Sequence, residues 1–401
     1  MTKPLVACGL MSGTSRDGID VALVEIAGKF PDNRITLVHA ETVPYPRGLA
    51  RLLEEPGDAQ AIAAADFWIG EAFGLAAKRA FASAGLAAND VRVIGSHGQT
   101  LLHVPRGVRV GRKTVRATLQ VGNGAVIARI AGVPTVSDFR SADVAAGGEG
   151  APLVPIYDYV TLRNPSLARI ALNIGGIANL TAIPAGGAAA SVISFDTGPG
   201  NCLLDLAARA ASGGRRTFDK EGALARRGAL DPRLLRRLLA NPYFKRLPPK
   251  STGWEEFGED LLRRLWPPSG RARRSAGLRV LRTLTEGVAE SIAMAVSDFI
   301  ADRMWPDEVI VTGGGSKNAF LMECLRQKLS SRFPDLVVDV GEAFGIDSDA
   351  KEACAFAYLA YLYLSGIPAN LVSQAAGLEP AVLGCLYPVA GAGAGPAARG
   401  D

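Results

Sequence analysis

The chain has 401 residues, more than one typical domain needs and enough to bury two sizeable cores. Its 44 Lys and Arg residues against 39 Asp and Glu leave a formal charge of only +5, spread along the chain, which argues against a nucleic-acid-binding protein. Five scattered cysteines without metal spacing exclude a disulfide framework and point to a reducing compartment, and no run approaches the ~20 apolar residues that span a membrane.

The first apolar runs, "LVACGLM" (5–11), "IDVALVEIA" (19–27) and "ITLVHAETVPYP" (35–46), are broken by Gly, Asp, Asn and Pro and predict an antiparallel meander. No signal peptide precedes them, so the expected location is the cytoplasm. Between the first two lies "GLMSGTSRDGID". The Gly-rich turn from Gly9 to Gly18, with Gly13 between them, lets backbone N–H groups converge on an anion, and Ser12, Thr14 and Ser15 add hydroxyl donors. Asp17 and Asp20 would repel a bare phosphate, so they suggest a divalent cation beside a nucleotide. A Gly/Ser hairpin capped by its own aspartates fits the same residues. Neither GxxxxGK[ST] nor a helix-opening GxGxxG occurs here.

Helical spacing then predicts a long helix over "AQAIAAADFWIGEAFGLAAKRAFASAG" (59–85). "VRVIGSHGQTLLH" (91–103) reads as a strand running into a polar loop with His97 and His103, and "QVGNGAVIARIAGVPTVSDFR" (120–140) as a helix followed by a strand. His39 is the third histidine, but the spacing resembles no zinc pattern. Asp138, Arg140 and Glu149 sit in loops and suit a sugar or an acid.

From 168 onward "ARIALNIGGIANLTAIP" repeats the strand, Gly-rich turn, strand design of the first hairpin. "SVISFDTGPGN" places Asp196 at a strand end, where it is suited to take a proton from an attacking hydroxyl or water; a turn-capping role is the alternative. Helices follow from about 231 to 304, among them the arginine run "RARRSAGLRVLR" (271–282), which lacks interleaved aromatics and reads as a solvated face. In "VIVTGGGSKN" (309–318) the strand, the three glycines and a helix opening near Ser316 or Lys317 fit a flat ring and a phosphate. The apolar helix from Lys351 to Ser365 reads as core or as the border of a subunit interface, and the Gly/Ala-rich tail (391–401) as a flexible terminus.

Taken in order, "GLMSGTSRDGID", "GSHGQT", "SDFR", "NIGGIANLT", "FDTGPGN", "PPKSTG", "VTGGGSKN" and "DAKEACAFAYLA" resemble the anhydro-N-acetylmuramic acid kinase family, within the superfamily of acetate and sugar kinases, heat-shock chaperones and actin. The resemblance covers roughly 5–388. It implies an α/β fold of two ribonuclease H-like domains around a central ATP and substrate cleft. The expected domains are 1–140 completed by 366–390, and 141–365, with hinges near 135–155 and beyond 365.

The implied reaction uses ATP and Mg²⁺: water opens the 1,6-anhydro bond of 1,6-anhydro-N-acetylmuramic acid, and the sugar becomes N-acetylmuramic acid 6-phosphate. By that likeness Asp196 is the base. Gly13, Thr14, Ser15, Arg16, Asp17, Gly18, Ile19 and Asp20 hold the ATP phosphates and metal, with Asp17 and Asp20 as metal ligands. Gly175, Gly176 and Asn179 face them from the second domain, Gly313, Gly314 and Gly315 contact adenosine, and His97, Asp138, Arg140 and Glu352 contact the sugar. A homodimer is the assembly left open. Arg16, Glu149 and Trp254 depart from the leucine, glutamine and arginine usual at these places. Two other readings remain: a nucleotide-switched binding protein, and a kinase of another sugar or acid.

Overall fold

The computed structural model describes residues 4–13, 18–54, 57–266 and 273–389. The chain forms two compact units, Met1–Thr161 with Asp349–Asp401, and Leu162–Ser348. It therefore crosses between units at 161–162 and 348–349, whereas the expected domains divided at 140–141 and 365–366. The reason lies in the 351–364 helix, which packs on the first unit's central strands.

In the first unit β1 (Leu5–Met11), β2 (Gly18–Ala27) and β3 (Arg34–Pro44) form the expected antiparallel meander. β4 (Val91–Ser96) pairs parallel with β1. A further hairpin, β5 (Gln99–Val110) and β6 (Lys113–Val121), stands apart as a two-stranded ribbon where sequence suggested only a loop. β7 (Thr135–Ser137) pairs parallel with β4, and the short strand Cys385–Tyr387 closes the edge, giving the order Cys385–Tyr387, β7, β4, β1, β2, β3.

Alternation along β1 sends Cys8 and Leu10 into a core with Ile69, Phe73 and Ile127, from helices Ala59–Ser83 and Gly124–Ala131. Gly9 points to the opposite face. There a Cβ on Gly9 would collide with the carbonyl oxygen of Ala353, and one on Gly95 with that of Phe356. Only glycine lets the 351–364 helix approach so closely. That helix is buried from Ala353 through Ala360 and is core of this unit.

In the second unit β8 (Arg169–Ile174), β9 (Ile177–Ile183) and β10 (Ile193–Pro199) again form an antiparallel meander. β11 (Glu308–Thr312) pairs parallel with β8 and with β12 (Val337–Val340), so the order is β10, β9, β8, β11, β12. Numbering only the strands of each sheet, the second reads 3-2-1-4-5 and the first 3-2-1-4-5-6, the sixth being the edge strand Cys385–Tyr387; both units are ribonuclease H-like. The helical stretch expected over 231–304 resolves into Pro232–Leu239, Trp254–Phe257, Glu259–Leu265 and Arg273–Phe299. Leu281, Leu284, Val288 and Ile292 of the last build the core with Leu203, Leu204, Leu321 and Leu325 from helices Asn201–Ala211 and Ala319–Ser330. Among the described residues no helix is long and apolar enough to cross a membrane.

Candidate active site

The first Gly-rich segment is less of a loop than its composition suggests, because β1 continues through Gly9, Leu10 and Met11, and Met11 pairs with Asp20 across the hairpin. The turn proper is closed by Ser12, whose Oγ lies 2.9 Å from the Gly18 carbonyl oxygen and 2.9 Å from Gln99 Oε1. Gly13 leaves β1, Gly18 opens β2 under Val43, and Ile19 is buried in the core, so its side chain packs and only its backbone remains for a ligand. Asp20 accepts a 2.6 Å hydrogen bond from the Thr42 hydroxyl on β3. Thr14, Ser15, Arg16 and Asp17 lie outside the described residues.

At the end of β4 stands His97, buried beside Phe356 with ring centroids 4.8 Å apart. Arg140 directs its Nε and Nη2 at His97 Nε2, at 3.1 and 2.8 Å. Guanidinium only donates, so Nε2 is the acceptor; the ring proton then sits on Nδ1 and donates to the Gly98 carbonyl at 3.0 Å. Burial, and then the Arg140 charge, hold the imidazole well below its usual pKa, and it is neutral at physiological pH. Arg140 also donates to the Gly150 carbonyl at 2.6 Å. Burial lowers its guanidinium to about 10 while Glu352 pulls it up, so it stays cationic.

Glu352 opens the 351–364 helix. Its carboxyl is pushed up by the dehydrating protein around it and by Asp20, and pulled down by Lys351 and Arg140. The side chain is nonetheless open to solvent, which moderates that push. Lys351 turns inward to a buried ion pair with Asp158, Nζ to Oδ1 2.7 Å. Three of the four residues expected at a sugar, His97, Arg140 and Glu352, are thus coupled in one group. Asp138 is different: it holds a left-handed backbone, φ 58°, and its carboxylate accepts from the Ser141 hydroxyl at 2.6 Å.

In the second unit the turn Gly175–Gly176 joins β8 to β9, with Asn173 opposite Asn179. Its carbonyls accept from the N–H groups of Gly200, Asn201 and Cys202 at 2.9, 2.8 and 3.1 Å. The first donors of the 201–211 helix are therefore already satisfied. Asn201 Nδ2 donates to the Ile174 carbonyl at 3.2 Å. The exposed indole of Trp254 lies beside this turn, its Nε1 3.8 Å from where a Gly176 Cβ would stand.

Of the three glycines after β11, two are demanded by packing. Gly313 has φ 81°, and a Cβ there would strike Asn173 Oδ1; one on Gly315 would strike Ile174. A Cβ on Gly314 would keep ordinary distance, 3.6 Å from Asn201 Nδ2. Gly314–Lys317 is a 3₁₀ turn, and the helix opens later than expected, at Ala319, capped by Asn318 accepting from Leu321 N–H at 3.1 Å.

Gly314, Asn201, Lys317 and Asn318 also line a cavity of about 470 Å³, completed by Leu204, Asp205 and the segment Phe218–Glu221. Its size falls within the ~300–1,000 Å³ of small-molecule sites. Burial raises the Asp205 carboxyl to about 6, against the pull of Arg209. Sequence reasoning missed "FDKEG" (218–222); the one local signal was an aromatic residue beside a charged, glycine-ended turn.

Asp196 sits in β10 opposite Asn179, immediately before a register shift that makes Thr197 an extra residue ahead of Gly198. Thr197 is buried and donates to the Ala178 carbonyl at 3.1 Å. The segment 243–252 grips Asp196 at three atoms: Tyr243 OH donates to its carbonyl at 2.6 Å, its N–H donates to the Lys250 carbonyl at 3.0 Å, and Thr252 N–H donates to Oδ2 at 2.9 Å. The last bond fixes the carboxylate's rotation.

A family model described as anhydro-N-acetylmuramic acid kinase matches residues 6–389. Relatives of that name include one from Caldanaerobacter subterraneus, 39% identical over 94% of this chain and 95% of its own, and one from Gloeobacter violaceus, 42% identical over 96% and 99%. Among solved structures, a ROK family glucokinase from Streptomyces griseus in complex with glucose and AMPPNP aligns with TM-score 0.36 and 14% identity, over 89% of this chain and 99% of that one.

Proposed function

The chain belongs to the anhydro-N-acetylmuramic acid kinase family, and from that premise we propose the role of each site residue. The enzyme uses ATP to convert 1,6-anhydro-N-acetylmuramic acid, with hydrolysis of its anhydro bond, to N-acetylmuramic acid 6-phosphate in cell-wall recycling. Asp196 is the general base. It takes a proton from the water that attacks the anomeric carbon, and the freed sixth oxygen receives the γ-phosphoryl group. The observation that carries this assignment is the three-atom grip on Asp196, which fixes one carboxylate at a strand end.

Adenosine occupies the cavity beside Gly314, where Phe218 offers a ring face and Asp205 and Asn201 offer polar groups; the volume and these side chains fit a nucleoside. The backbone of Gly13–Asp20 and the turn at Gly175, Gly176 and Asn179 hold the phosphates. Asp17 and Asp20 would hold Mg²⁺, which would neutralise phosphate charge; the Thr42 hydroxyl keeps the Asp20 carboxylate in a fixed orientation. His97, Arg140 and Glu352 contact the sugar with a neutral acceptor, a cation and a carboxyl group, and Asp138 reaches it from its loop. The reaction belongs in the cytoplasm, and the exposed Leu102, Val108 and Val110 of the β5–β6 ribbon favour a homodimer.

The test is ADP release with and without the anhydro sugar. Asp196→Asn is expected to cut the sugar-dependent rate ~10²- to 10⁴-fold with nucleotide binding retained. Equal rates in the two proteins would refute the base.

A further inference from the structure

Lys250 is buried, 7% exposed, although nothing in the reaction above uses it. Its ammonium lies 4.4 Å from the ring centre of Phe299, 4.8 Å from that of Tyr243 and 5.6 Å from that of Phe195. It reaches the carbonyl oxygens of Phe244 at 3.4 Å and Tyr243 at 3.5 Å. Two of those neighbours bear on Asp196, Phe195 by preceding it in β10 and Tyr243 by bonding its carbonyl, and the carbonyl of Lys250 itself accepts the Asp196 N–H. Taking an ammonium out of water is unfavourable unless the charge is compensated, and ring faces offset only part of that, so a cation kept here calls for a reason.

We propose that Lys250 is a positioning residue for the base: its caged ammonium locks the 243–252 segment that grips Asp196 and holds the carboxylate in its ionised form. The proposal rests on Asp196 being the base. The charged groups around Lys250 are Asp196 on β10, Arg246 on its own segment and Asp298 on the 273–299 helix. Burial lowers the ammonium to about 8; Asp298 and Asp196 raise it and Arg246 lowers it. Below that pH the cage holds a cation, and above it the segment loses its lock.

The experiment is kcat and KM against pH for the full-length enzyme with anhydro sugar and ATP. Lys250→Met is expected to lower kcat roughly 10- to 100-fold with KM for both substrates little changed, and to move the acidic limb of kcat up by about one pH unit, because Asp196 loses its cation. Lys250→Arg, which keeps the charge, should return the acidic limb toward the wild-type position. An acidic limb unmoved in Lys250→Met overturns the proposal, as does an equal loss in Met and Arg variants. Asp298→Asn alters an exposed residue and so tests the idea without risk to folding. It should leave the acidic limb alone and shift the alkaline limb, set near 8 by Lys250, to lower pH; coincident alkaline limbs overturn the proposal. Asp196→Asn run in parallel separates the two readings: if it stays active the base assignment fails, whereas an inactive Asp196→Asn beside an unshifted Lys250→Met condemns Lys250 alone.

Discussion

His97 shows how one side chain can be fixed by its neighbours' chemistry. With Arg140 donating to Nε2, a second proton on the ring would face a guanidinium inside the protein. Its folded pKa lies below the unfolded value of about 6.5, so its contribution to stability is complete above that pH and is lost as pH falls through it. Melting temperatures between pH 7.5 and 5 should therefore drop, with His97 contributing up to about 1.4 kcal/mol per pH unit in the acidic range. His97→Gln should show the shallower decline; parallel curves would exclude the histidine. Chain order made His97 and Arg140 candidates separately, because the motifs "GSHGQT" and "SDFR" each stand out. Their hydrogen bonds were not legible, since 43 positions separate them and only the pairing of β4 with β7 brings them together. Lys250 was invisible for a similar reason: "PPKSTG" gives no hint that three rings from three separate stretches surround its ammonium.

Among the elements, the two meanders were readable because apolar alternation between glycine-rich turns is a local pattern. The β5–β6 ribbon was not. Pro105, Gly107 and a run of arginines break its alternation, and four exposed apolar side chains, Leu102, Val108, Val110 and Leu119, give it no buried face of its own. Gly9 carried a different lesson, for it was counted with a phosphate loop and instead serves helix packing. Gly95→Ala should then force the 351–364 helix off the sheet, because the new methyl meets main chain and no rotamer change can relieve it. We expect roughly 3 kcal/mol of lost stability in urea unfolding, with a rise in sugar KM as Glu352 moves. Full retention of both would mean that the helix does not bear on β4.

Across the whole molecule the family and the doubled architecture were legible, while the points of crossing were not, because an apolar helical pattern does not register which sheet the helix joins. Asp158 stands just before the chain leaves the first unit and Lys351 just after it returns, and the two form a buried ion pair 2.7 Å long. Asp158→Asn would leave the ammonium unmatched in a dry site, at a cost of about 3–5 kcal/mol. Calorimetry should show the first unit's transition lowered and the second's unchanged, and Asp158→Leu with Lys351→Met should recover much of the loss. An unaltered first transition would mean the pair is electrostatically idle. A polypeptide that departs and comes home at one doorway carries its middle as a guest. Residues 162–348 enter and exit beside a single pair of charges, so a short tether across that doorway should suffice to close the host, and the lodger, bringing its own five-stranded sheet, can be expressed as a separate protein.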